Sequence, residues 1–297
     1  MINIKKLVFI CCALSLLNAC GDEHDFNKYD EAVDQTAAKM KFVHAAVGPA
    51  GVNFSVNYSV KDTKISGVNI LAGLPLGIGY GGLFPNSLNY AFVASGAQTI
   101  KVVIPARAAV PAIGTSPAIV AFPETPVFTG PVTTASGKEY TTFLVGTSPN
   151  YLLHTINDDF SFVNPNSTTA FVRFVNLVTN TPVAGYELVF IRNNPATPTT
   201  PAMPPTTLRT FSGIGYLGGS AVFEPLPTIL NTESAPYIVQ LRITGTSTIV
   251  TTFPAAPAGA SFIPRPGRTY TFFVRGIVGG LPTVTQNIPV LTFYTNR

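Results

Sequence analysis

Cysteine is nearly absent from the chain, and its position excludes several kinds of site. The 297 residues contain three cysteines, Cys11, Cys12 and Cys20, all close to the N-terminus. The rest of the chain therefore offers no thiol for a disulfide, a metal ligand or covalent catalysis. A chain of this length needs none of these to hold a core, because it has room for two domains of ordinary size.

Charged residues are also scarce. They make up 11% of the chain against 46% hydrophobic residues, a balance that excludes a disordered acidic or basic chain and favours strands with one face on a core. The basic residues are scattered singly from Lys41 to Arg297, with no cluster that could follow a phosphate backbone. The sequence therefore predicts no nucleic-acid partner.

Long apolar runs and tryptophan are missing as well. The longest apolar run lies near residue 7 and is too short to span a bilayer. Glycan-binding platforms need exposed flat rings, most often Trp, so the absence of Trp disfavours such a site, although the 11 Tyr residues could still supply one. The 21 Phe residues mostly occupy predicted strand positions, where we expect them to be buried.

The N-terminus has the pattern of a secretion signal. Lys5 and Lys6 precede an apolar stretch from Leu7 to Leu17. The stretch ends in Leu17-Asn18-Ala19-Cys20, which resembles the bacterial lipobox, in which the cysteine begins the mature chain and carries the lipid. We therefore predict a lipoprotein signal peptide over residues 1–19 and lipid attachment at Cys20, against the alternative of an ordinary cleaved signal. The lipid would make the membrane a partner of the chain, and we expect a location at the bacterial outer membrane.

Residues 20–37 are polar, acidic and without periodicity. Six of the 14 acids lie between Asp22 and Asp34. This composition predicts a flexible tether between the membrane and the folded part. The pair Asp22-Glu23 resembles the surface-export signals of some lipoproteins, and a generic solvated linker is an equal alternative.

The remainder of the chain contains an internal repeat, which predicts two copies of one unit. Four blocks recur in the same order at offsets of 132, 136, 139 and 130 residues. The pairs are "MKFVHAAV" from Met40 with "VRFVNLVT" from Val172, "GIGYGG" from Gly77 with "GIGYLGG" from Gly213, "IKVVI" from Ile100 with "VQLRI" from Val239, and "GKEYTTFLVG" from Gly137 with "GRTYTFFVRG" from Gly267. We place the boundary at residues 162–169 and expect repeats at 38–161 and 168–297.

Both copies have the pattern of strands. Residues 52–60, "VNFSVNYSV", alternate apolar and polar side chains, as do Val239, Leu241 and Ile243 with their neighbours. In "YTTFLV" and "YTFFVRG" both faces are largely apolar, which predicts strands covered on two sides. No stretch keeps a helical period, so we predict an all-β chain of two tandem antiparallel, immunoglobulin-like β-sandwiches.

Several of these residues carry a resemblance to a known family. They are Lys41 to Ala45 with Val52 to Val56, the turns at Gly79-Tyr80 and Gly215-Tyr216, Gly137, Tyr140, Thr141, Phe143 and Gly146, and the acidic ending Asn157-Asp158-Asp159. On these residues both copies resemble the tandem bacterial envelope domains of the domain of unknown function 4397 family. The chain departs from that family at Ala46 to Ala50 and Leu177 to Thr181, where an acidic loop is expected. The resemblance implies a secreted or surface pair of β-sandwiches, and the family brings no established activity.

The motifs that suggest chemistry have simpler structural interpretations. Gly77, Gly79 and Gly82 match a dinucleotide-binding pattern, as do Gly213, Gly215 and Gly218. After Gly82 the sequence cannot open a regular helix and no acidic residue follows until Glu124, so we expect glycine turns. His44 corresponds to Asn176 in the second copy, which predicts a structural hydrogen bond rather than proton transfer. His154 has no such counterpart.

The remaining acids and loops complete the predictions. Asp158-Asp159 lacks the other ligands of a calcium loop and is expected at a strand end. We predict no catalytic residue, no metal and no cofactor.

The leading hypothesis is a lipid-anchored, non-enzymatic envelope protein for adhesion, scaffolding or assembly with envelope protein partners. It would use the loops at residues 105–126 and 192–207.

Two other functions stay open. A surface glycan-binding lipoprotein would use clustered Tyr residues, and it is disfavoured if Tyr80 and Tyr216 are buried at their turns. A hydrolase would need His44 or His154 beside an acid and a hydroxyl group.

Overall fold

The structure is a computed structural model, and it describes residues 36–48, 54–66, 69–71, 74–109, 121–164, 168–194, 201–220, 222–228, 237–253, 262–279 and 288–297. Within these ranges the secondary structure consists of strands, turns and bends, with no helix. A search of the same residues for a helix long and apolar enough to cross a membrane found none. The predicted signal peptide 1–19, Cys20 and most of the tether lie outside the described residues.

The strands are numbered in chain order. Those before residue 160 are β1 (Ala38–His44), β2 (Asn57–Val60), β3 (Thr63–Lys64), β4 (Asn69–Leu71), β5 (Leu74–Leu76), β6 (Leu83–Phe84), β7 (Ala91–Val93), β8 (Gly96–Ile104), β9 (Thr125–Thr134), β10 (Glu139–Thr147) and β11 (Asn150–Asn157). Those after it are β12 (Thr169–Asn176), β13 (Tyr186–Asn194), β14 (Met203–Ile214), β15 (Glu224–Pro227), β16 (Tyr237–Ile243), β17 (Ile249–Phe253), β18 (Thr269–Arg275) and β19 (Val290–Thr295). We refer to β1–β11 as the first repeat and to β12–β19 as the second.

Four main sheets have matching strand orders in the two repeats. Sheet 1 is β3-β2-β8-β9, and its counterpart, sheet 4, is β14-β13-β16-β17. Sheet 2 is β11-β10-β1-β6 with β7 also on β1, and its counterpart, sheet 3, is β15-β12-β18-β19. A separate hairpin joins β4 and β5. The all-β prediction is confirmed, and the antiparallel pairing holds except for one parallel pair in each repeat, β1 with β10 and β12 with β18.

The four sheets stack through three hydrophobic cores. Sheets 1 and 2 enclose the first core, which includes Met40, Tyr58 and Leu144, and sheets 3 and 4 enclose the last core around Phe190 and Phe272. A middle core joins sheets 2 and 3 and contains Val43, Ala45, Phe143, Val145, Val175, Leu177, Phe273 and Tyr294. Residues Thr36–Arg297 accordingly form one compact unit.

The strands β1, β10, β12 and β18 lie in the two inner sheets, so each of them packs on two cores. In β10, Leu144 faces the first core while its neighbours Phe143 and Val145 face the middle core. In β18, Phe272 and Phe273 divide in the same way between the last and middle cores. The prediction that "YTTFLV" and "YTFFVRG" are covered on both sides is therefore confirmed. Each buried Phe contributes about 1.5–3 kcal/mol to folding.

Equivalent backbone hydrogen bonds confirm that the glycine motifs occupy the same place in both repeats. The Gly81 amide donates to the His44 carbonyl over 2.6 Å, and the Leu217 amide donates to the Asn176 carbonyl over 2.8 Å. The next amide closes a tight turn in each copy, from Gly82 to the Gly79 carbonyl at 2.8 Å and from Gly218 to the Gly215 carbonyl at 2.9 Å. No helix follows either motif within the described residues.

Two expectations about local structure need correction. Of the strand expected at residues 52–60, the described part begins at Phe54, where Phe54 and Ser55 are not in a strand, Val56 forms an isolated bridge and β2 begins at Asn57. The segment 192–207, expected as a loop, belongs in part to strands, because β13 ends at Asn194 and β14 begins at Met203. Pro204 and Pro205 are tolerated there because β14 is an edge strand, whose outward amides need no partner. Residues 195–200 and 110–120 of the two loops lie outside the described part of the chain.

The proposed repeat boundaries remain predictions. Each main sheet takes its strands from one side of residues 158–168. The limits 38–161 and 168–297 are consistent with that separation, and we keep them as a proposal below.

Candidate functional site

Two basic residues lie fully buried between the repeats. Lys41 in β1 and Arg173 in β12 occupy equivalent positions, and each has no exposed surface. Both alternate with residues of the outer cores, so their side chains face the junction of sheets 2 and 3. A buried cation is tolerated only when opposite charge and hydrogen bonds compensate for its lost hydration.

Arg173 is compensated by Asp158 from the other repeat. Its Nη2 donates to Asp158 Oδ1, and both side chains are completely buried. Its Nε donates to Thr271 Oγ1 over 2.9 Å. Burial acts to lower the pKa of Arg173, but Asp158 and the nearby Tyr294 and Tyr90 raise it, and the net shift is upward. The guanidinium therefore keeps its charge.

The other oxygen of Asp158 collects hydroxyl donors. Thr141 Oγ1 donates to Oδ2 over 2.6 Å and Tyr90 Oη donates over 2.7 Å. Tyr294 Oη then donates to Thr141 Oγ1 over 3.1 Å, and Asn296 Nδ2 donates to Tyr90 Oη over 3.0 Å. Burial, and next the charge of Asp158, raise the pKa of Tyr90 well above its usual range. We name Asp158, Arg173, Tyr90, Thr141, Thr271, Tyr294 and Asn296 the junction network.

Lys41 is held mainly by neutral groups. Its Nζ donates to the Asn89 carbonyl over 2.7 Å and lies 4.7 Å from the centroid of the Tyr90 ring and 5.5 Å from that of Tyr294. Burial lowers its pKa to about 8, and Asp158 and Glu139 oppose this shift. Asn296 occupies in the second repeat the place that Asp158 has in the first, so Lys41 lacks the carboxylate that Arg173 has.

Two aromatic rings are stacked between two cations, in a row that leads from the buried Arg173 to the exposed Arg297. The Arg173 guanidinium lies 4.6 Å from the Phe223 ring centroid, Phe223 stacks on Phe160 at 5.1 Å, and the Arg297 guanidinium lies 4.2 Å from Phe160. Each cation–ring contact contributes about 0.5–2 kcal/mol. Phe160 thus joins the end of the first repeat to the second.

A cavity of about 290 Å³ lies beside this stack. Glu139 lines it as a nearly buried carboxylate whose Oε1 accepts from Lys39 at 3.2 Å and from Arg297 at 2.6 Å. The other lining residues are Gly137, Lys138, Asn157, Asp158, Asp159, Phe160, Ser161 and Arg297. The cavity is therefore polar and mixed in charge, and the acidic ending predicted from the sequence forms part of its wall.

The two glycine turns meet the junction differently. Arg275 in β18 lies over the Tyr80 ring at 4.7 Å, and a Cβ atom on Gly81 would be 2.5 Å from Arg275 Nη2. Exchanging the two repeats, Val145 of the first repeat corresponds to Arg275, and Leu217 of the second repeat corresponds to Gly81. Leu217 packs on the middle core and has a φ of 59°. The large Arg275 side chain is thus paired with Gly81, whereas the smaller Val145 is paired with Leu217.

The histidines are placed as structural residues. His44 Nε2 lies 3.0 Å from the Phe54 carbonyl, and burial lowers the pKa of His44 to about 4. Its counterpart Asn176 donates to the Ile214 carbonyl over 2.9 Å and accepts from the Val178 amide over 3.0 Å. The predicted structural hydrogen bond at both positions is confirmed. His154 stacks on Phe143 at 6.4 Å, and burial lowers its pKa as well.

The other residues singled out from the sequence are dispersed. Tyr80 and Tyr216 are both half-buried, and Tyr80 contacts Arg275. Asp158 lies in the junction network. Asp159 forms an isolated bridge with Val222, and its Oδ1 accepts from the Ser161 amide over 2.9 Å. Among the described residues no group of three or more His, Cys, Asp or Glu side chains is placed to hold a metal ion.

Sequence reasoning missed the junction network. The available signal was the single basic residue inside each apolar first strand, Lys41 in "MKFVH" and Arg173 in "VRFVN". A charge between strongly apolar neighbours on a strand covered on both sides has to be buried. The partner across the junction could not be named, because the sequence does not show how the repeats pack.

Comparison with known protein families identifies the first repeat. Residues 38–183 match the family model described as Domain of unknown function (DUF4397). This segment of the chain belongs to that family. The match covers the first repeat and the opening of the second, and over these residues it confirms the resemblance drawn from the sequence. None of the curated protein sequences matches the chain.

Several solved structures are similar to the chain over most of their length, at low identity. The fimbrial anchor protein Mfa2 from Porphyromonas gingivalis is 8% identical, with a TM-score of 0.26, covering 88% of this chain and 97% of that one. A candidate adhesin from Bacteroides ovatus is 12% identical, with a TM-score of 0.22 and coverages of 82% and 89%. A candidate cell adhesion protein from Bacteroides fragilis is 12% identical, with a TM-score of 0.23 and coverages of 88% and 98%.

Proposed function

We propose that the protein is a lipid-anchored, non-enzymatic component of the bacterial outer membrane. Its two β-sandwich repeats, 38–161 and 168–297, serve adhesion, scaffolding or assembly with other envelope components. The observation that carries this proposal is the sequence Leu17-Asn18-Ala19-Cys20 after a basic and apolar leader. An acidic tether follows and ends where β1 begins at Ala38.

The charged groups of the junction support a scaffold better than an enzyme. Asp158 accepts from Arg173, Thr141 and Tyr90, so neither oxygen is left to take a proton from a substrate. His44 is buried against the Phe54 carbonyl, and its lowered pKa keeps the ring neutral at pH 7. The contact between Asp158 and Arg173 joins the two repeats, and loops at the ends of the joined sheets are suited to recognition.

Cell fractionation tests the anchor. We expect the protein to sediment with membranes, and we expect Cys20→Ala to release it or to leave it as an unprocessed precursor. Cys12→Ala is the matched control, because it removes a cysteine within the predicted signal and should leave the membrane association unchanged. Release of the wild-type protein by a salt wash alone would contradict covalent anchoring.

Whole-cell pull-down and a glycan array, both with the chain from residue 20 carrying Cys20→Ser, separate the two binding hypotheses. An envelope protein captured reproducibly supports the proposal. A glycan hit without a protein partner supports the alternative, a surface glycan-binding lipoprotein. The half-buried Tyr80, held against Arg275, counts against that alternative.

A further inference from the structure

One end of the stacked sheets carries exposed cations and exposed apolar side chains around the start of β1. The cations are Lys39, Lys138, Arg265, Arg268 and Arg297, and the apolar side chains are Phe92, Phe162 and Ile263. We name this surface the basic pole. In the sequence its members are spread from residue 39 to residue 297, so no run of charge reveals it.

Contacts in the first repeat bring part of the basic pole together. The Lys39 amide donates to the Lys138 carbonyl over 2.9 Å, and Lys39 Nζ lies 5.8 Å from the Phe92 ring centroid. The Gly137 amide donates to the Ala37 carbonyl over 3.1 Å. The turn that carries Lys138 therefore touches the point at which the tether joins β1.

Contacts in the second repeat bring the remaining cations to the same place. The Thr269 amide, next to Arg268, donates to the Arg297 carbonyl over 3.2 Å, and the Arg268 amide donates to the Arg265 carbonyl over 3.2 Å. Arg297 also reaches Glu139 in the first repeat. The two repeats thus contribute to one continuous surface.

The charge of the basic pole is positive. Among the described residues it presents five basic side chains against two carboxylates, Glu139 and Asp159. Glu139 is nearly buried and shared by Lys39 and Arg297, so it neutralises one charge of that pair. Lys138, Arg265 and Arg268 are exposed.

The apolar members distinguish a lipid surface from a purely ionic partner. Phe92, Phe162 and Ile263 are 53%, 67% and 65% exposed. Cations interspersed with exposed Phe and Ile side chains are typical of surfaces that rest in the headgroup region of a bilayer. An acidic soluble partner would use the cations and leave these three side chains in water.

We propose that the basic pole rests on an anionic phospholipid surface as a second, non-covalent membrane contact. This inference rests on the proposed anchoring only in one respect, which is that the anchor brings the basic pole close to the membrane. The chain enters β1 at Ala38 within this pole, so an anchor at Cys20 would be attached on the side of the molecule that carries the pole. The contact would orient the stacked sheets with their opposite end away from the membrane.

Vesicle sedimentation tests the contact without the lipid anchor. The chain from residue 20 with Cys20→Ser is mixed with vesicles of phosphatidylethanolamine and phosphatidylglycerol, and with vesicles of phosphatidylcholine. We expect binding to the anionic vesicles alone, falling as salt rises, because surface attraction is screened. Equal binding to both vesicles, or binding to neither, would overturn the proposal.

Charge reversal locates the contact. Lys138→Glu, Arg265→Glu and Arg268→Glu together should reduce vesicle partitioning by roughly fivefold or more for each cation changed. The matched control reverses three exposed cations elsewhere, Lys61→Glu, Lys64→Glu and Arg107→Glu, and should lower partitioning much less. An equal loss in both triple variants would mean attraction to net charge alone and would overturn the basic pole as the contact.

Phe162→Ser tests the apolar part of the contact, because it leaves the net charge of the protein unchanged. We expect weaker partitioning of this variant at high salt, with an unchanged unfolding transition, because Phe162 is exposed. The protein used in the vesicle experiments carries no acyl chain, so a negative result there would contradict the lipid contact of the basic pole and not the anchoring at Cys20. Fractionation of Cys20→Ala tests the anchoring alone.

Discussion

Arg173 of the second repeat donates a hydrogen bond to Asp158 at the end of the first repeat, and neither side chain has any exposed surface. The pair connects β12 of sheet 3 with the residue that follows β11 of sheet 2. Removing one member would leave the other as an uncompensated buried charge. The stability of the whole unit should therefore depend on it.

Asp158→Asn should destabilise the protein by about 3 kcal/mol or more, because Arg173 loses its counter-charge while the size of the side chain is kept. The free energy of unfolding is measured by urea denaturation. Asp159→Asn is the matched control and should change it much less, since the Asp159 carboxylate accepts a local hydrogen bond from the Ser161 amide and has no buried cation as its partner. Equal effects of the two substitutions would contradict the role given to Asp158.

Gly81→Leu should destabilise the protein by more than about 2 kcal/mol, because Gly81 has a φ of +78° and because the new side chain meets Arg275. Adding Arg275→Val should recover much of that loss, since the double variant reproduces the Val145 and Leu217 arrangement of the other repeat. Denaturation of the two single variants and the double variant gives the coupling free energy. Strictly additive effects would show that the two positions do not meet.

His44 should make stability fall in mild acid. Its pKa is about 4 in the folded protein and 6.5 when unfolded, so the unfolded chain binds more protons between these values. The contribution of His44 is complete above pH 6.5 and is lost as the pH falls towards 4, by about 3 kcal/mol in total. His44→Asn, which copies Asn176, should reduce this dependence in denaturation curves at pH 4.5 and 7. His154→Asn should reduce it less, because His154 is only half-buried.

Lys41 should make the stability of the folded protein rise with pH in mild alkali. Its pKa is about 8 in the folded protein and 10.5 when unfolded, so the unfolded chain binds more protons in this window and stability rises with pH through it. Lys41→Met should remove that rise and should be no less stable than the wild type at pH 7. Unfolding free energies at pH 7.5 and 9.5 check this, and an unchanged slope in the variant would show that Lys41 is solvated.

Much of the fold could be predicted from residue patterns, because they reflect local physics. The repeat, the two-sided apolar strands β10 and β18, and the glycine turns at Gly81 and Gly218 all follow from periodicity and backbone preference. The parallel pairing of β1 with β10 did not follow, since strand partners are set by the packing of the whole repeat. The start of β14 was missed because Pro204 and Pro205 are usually read as loop residues.

The candidate site was much less predictable. Asp158 was expected in a turn at a strand end, and only the packing of one repeat on the other brings Arg173 to it. The basic pole combines residues as distant as Lys39 and Arg297, which meet through Glu139. Such sites depend on tertiary contacts between repeats, and no local pattern records them.

The measurement that tests the proposed anchoring most directly is mass spectrometry of the N-terminal tryptic peptide of the protein purified from membranes. The peptide should begin at Cys20 and end at Lys28, with a mass increased by a diacylglyceryl group and an amide-linked acyl chain. An N-terminal peptide with an unmodified Cys20 thiol, or a mature chain that begins elsewhere, would contradict the account.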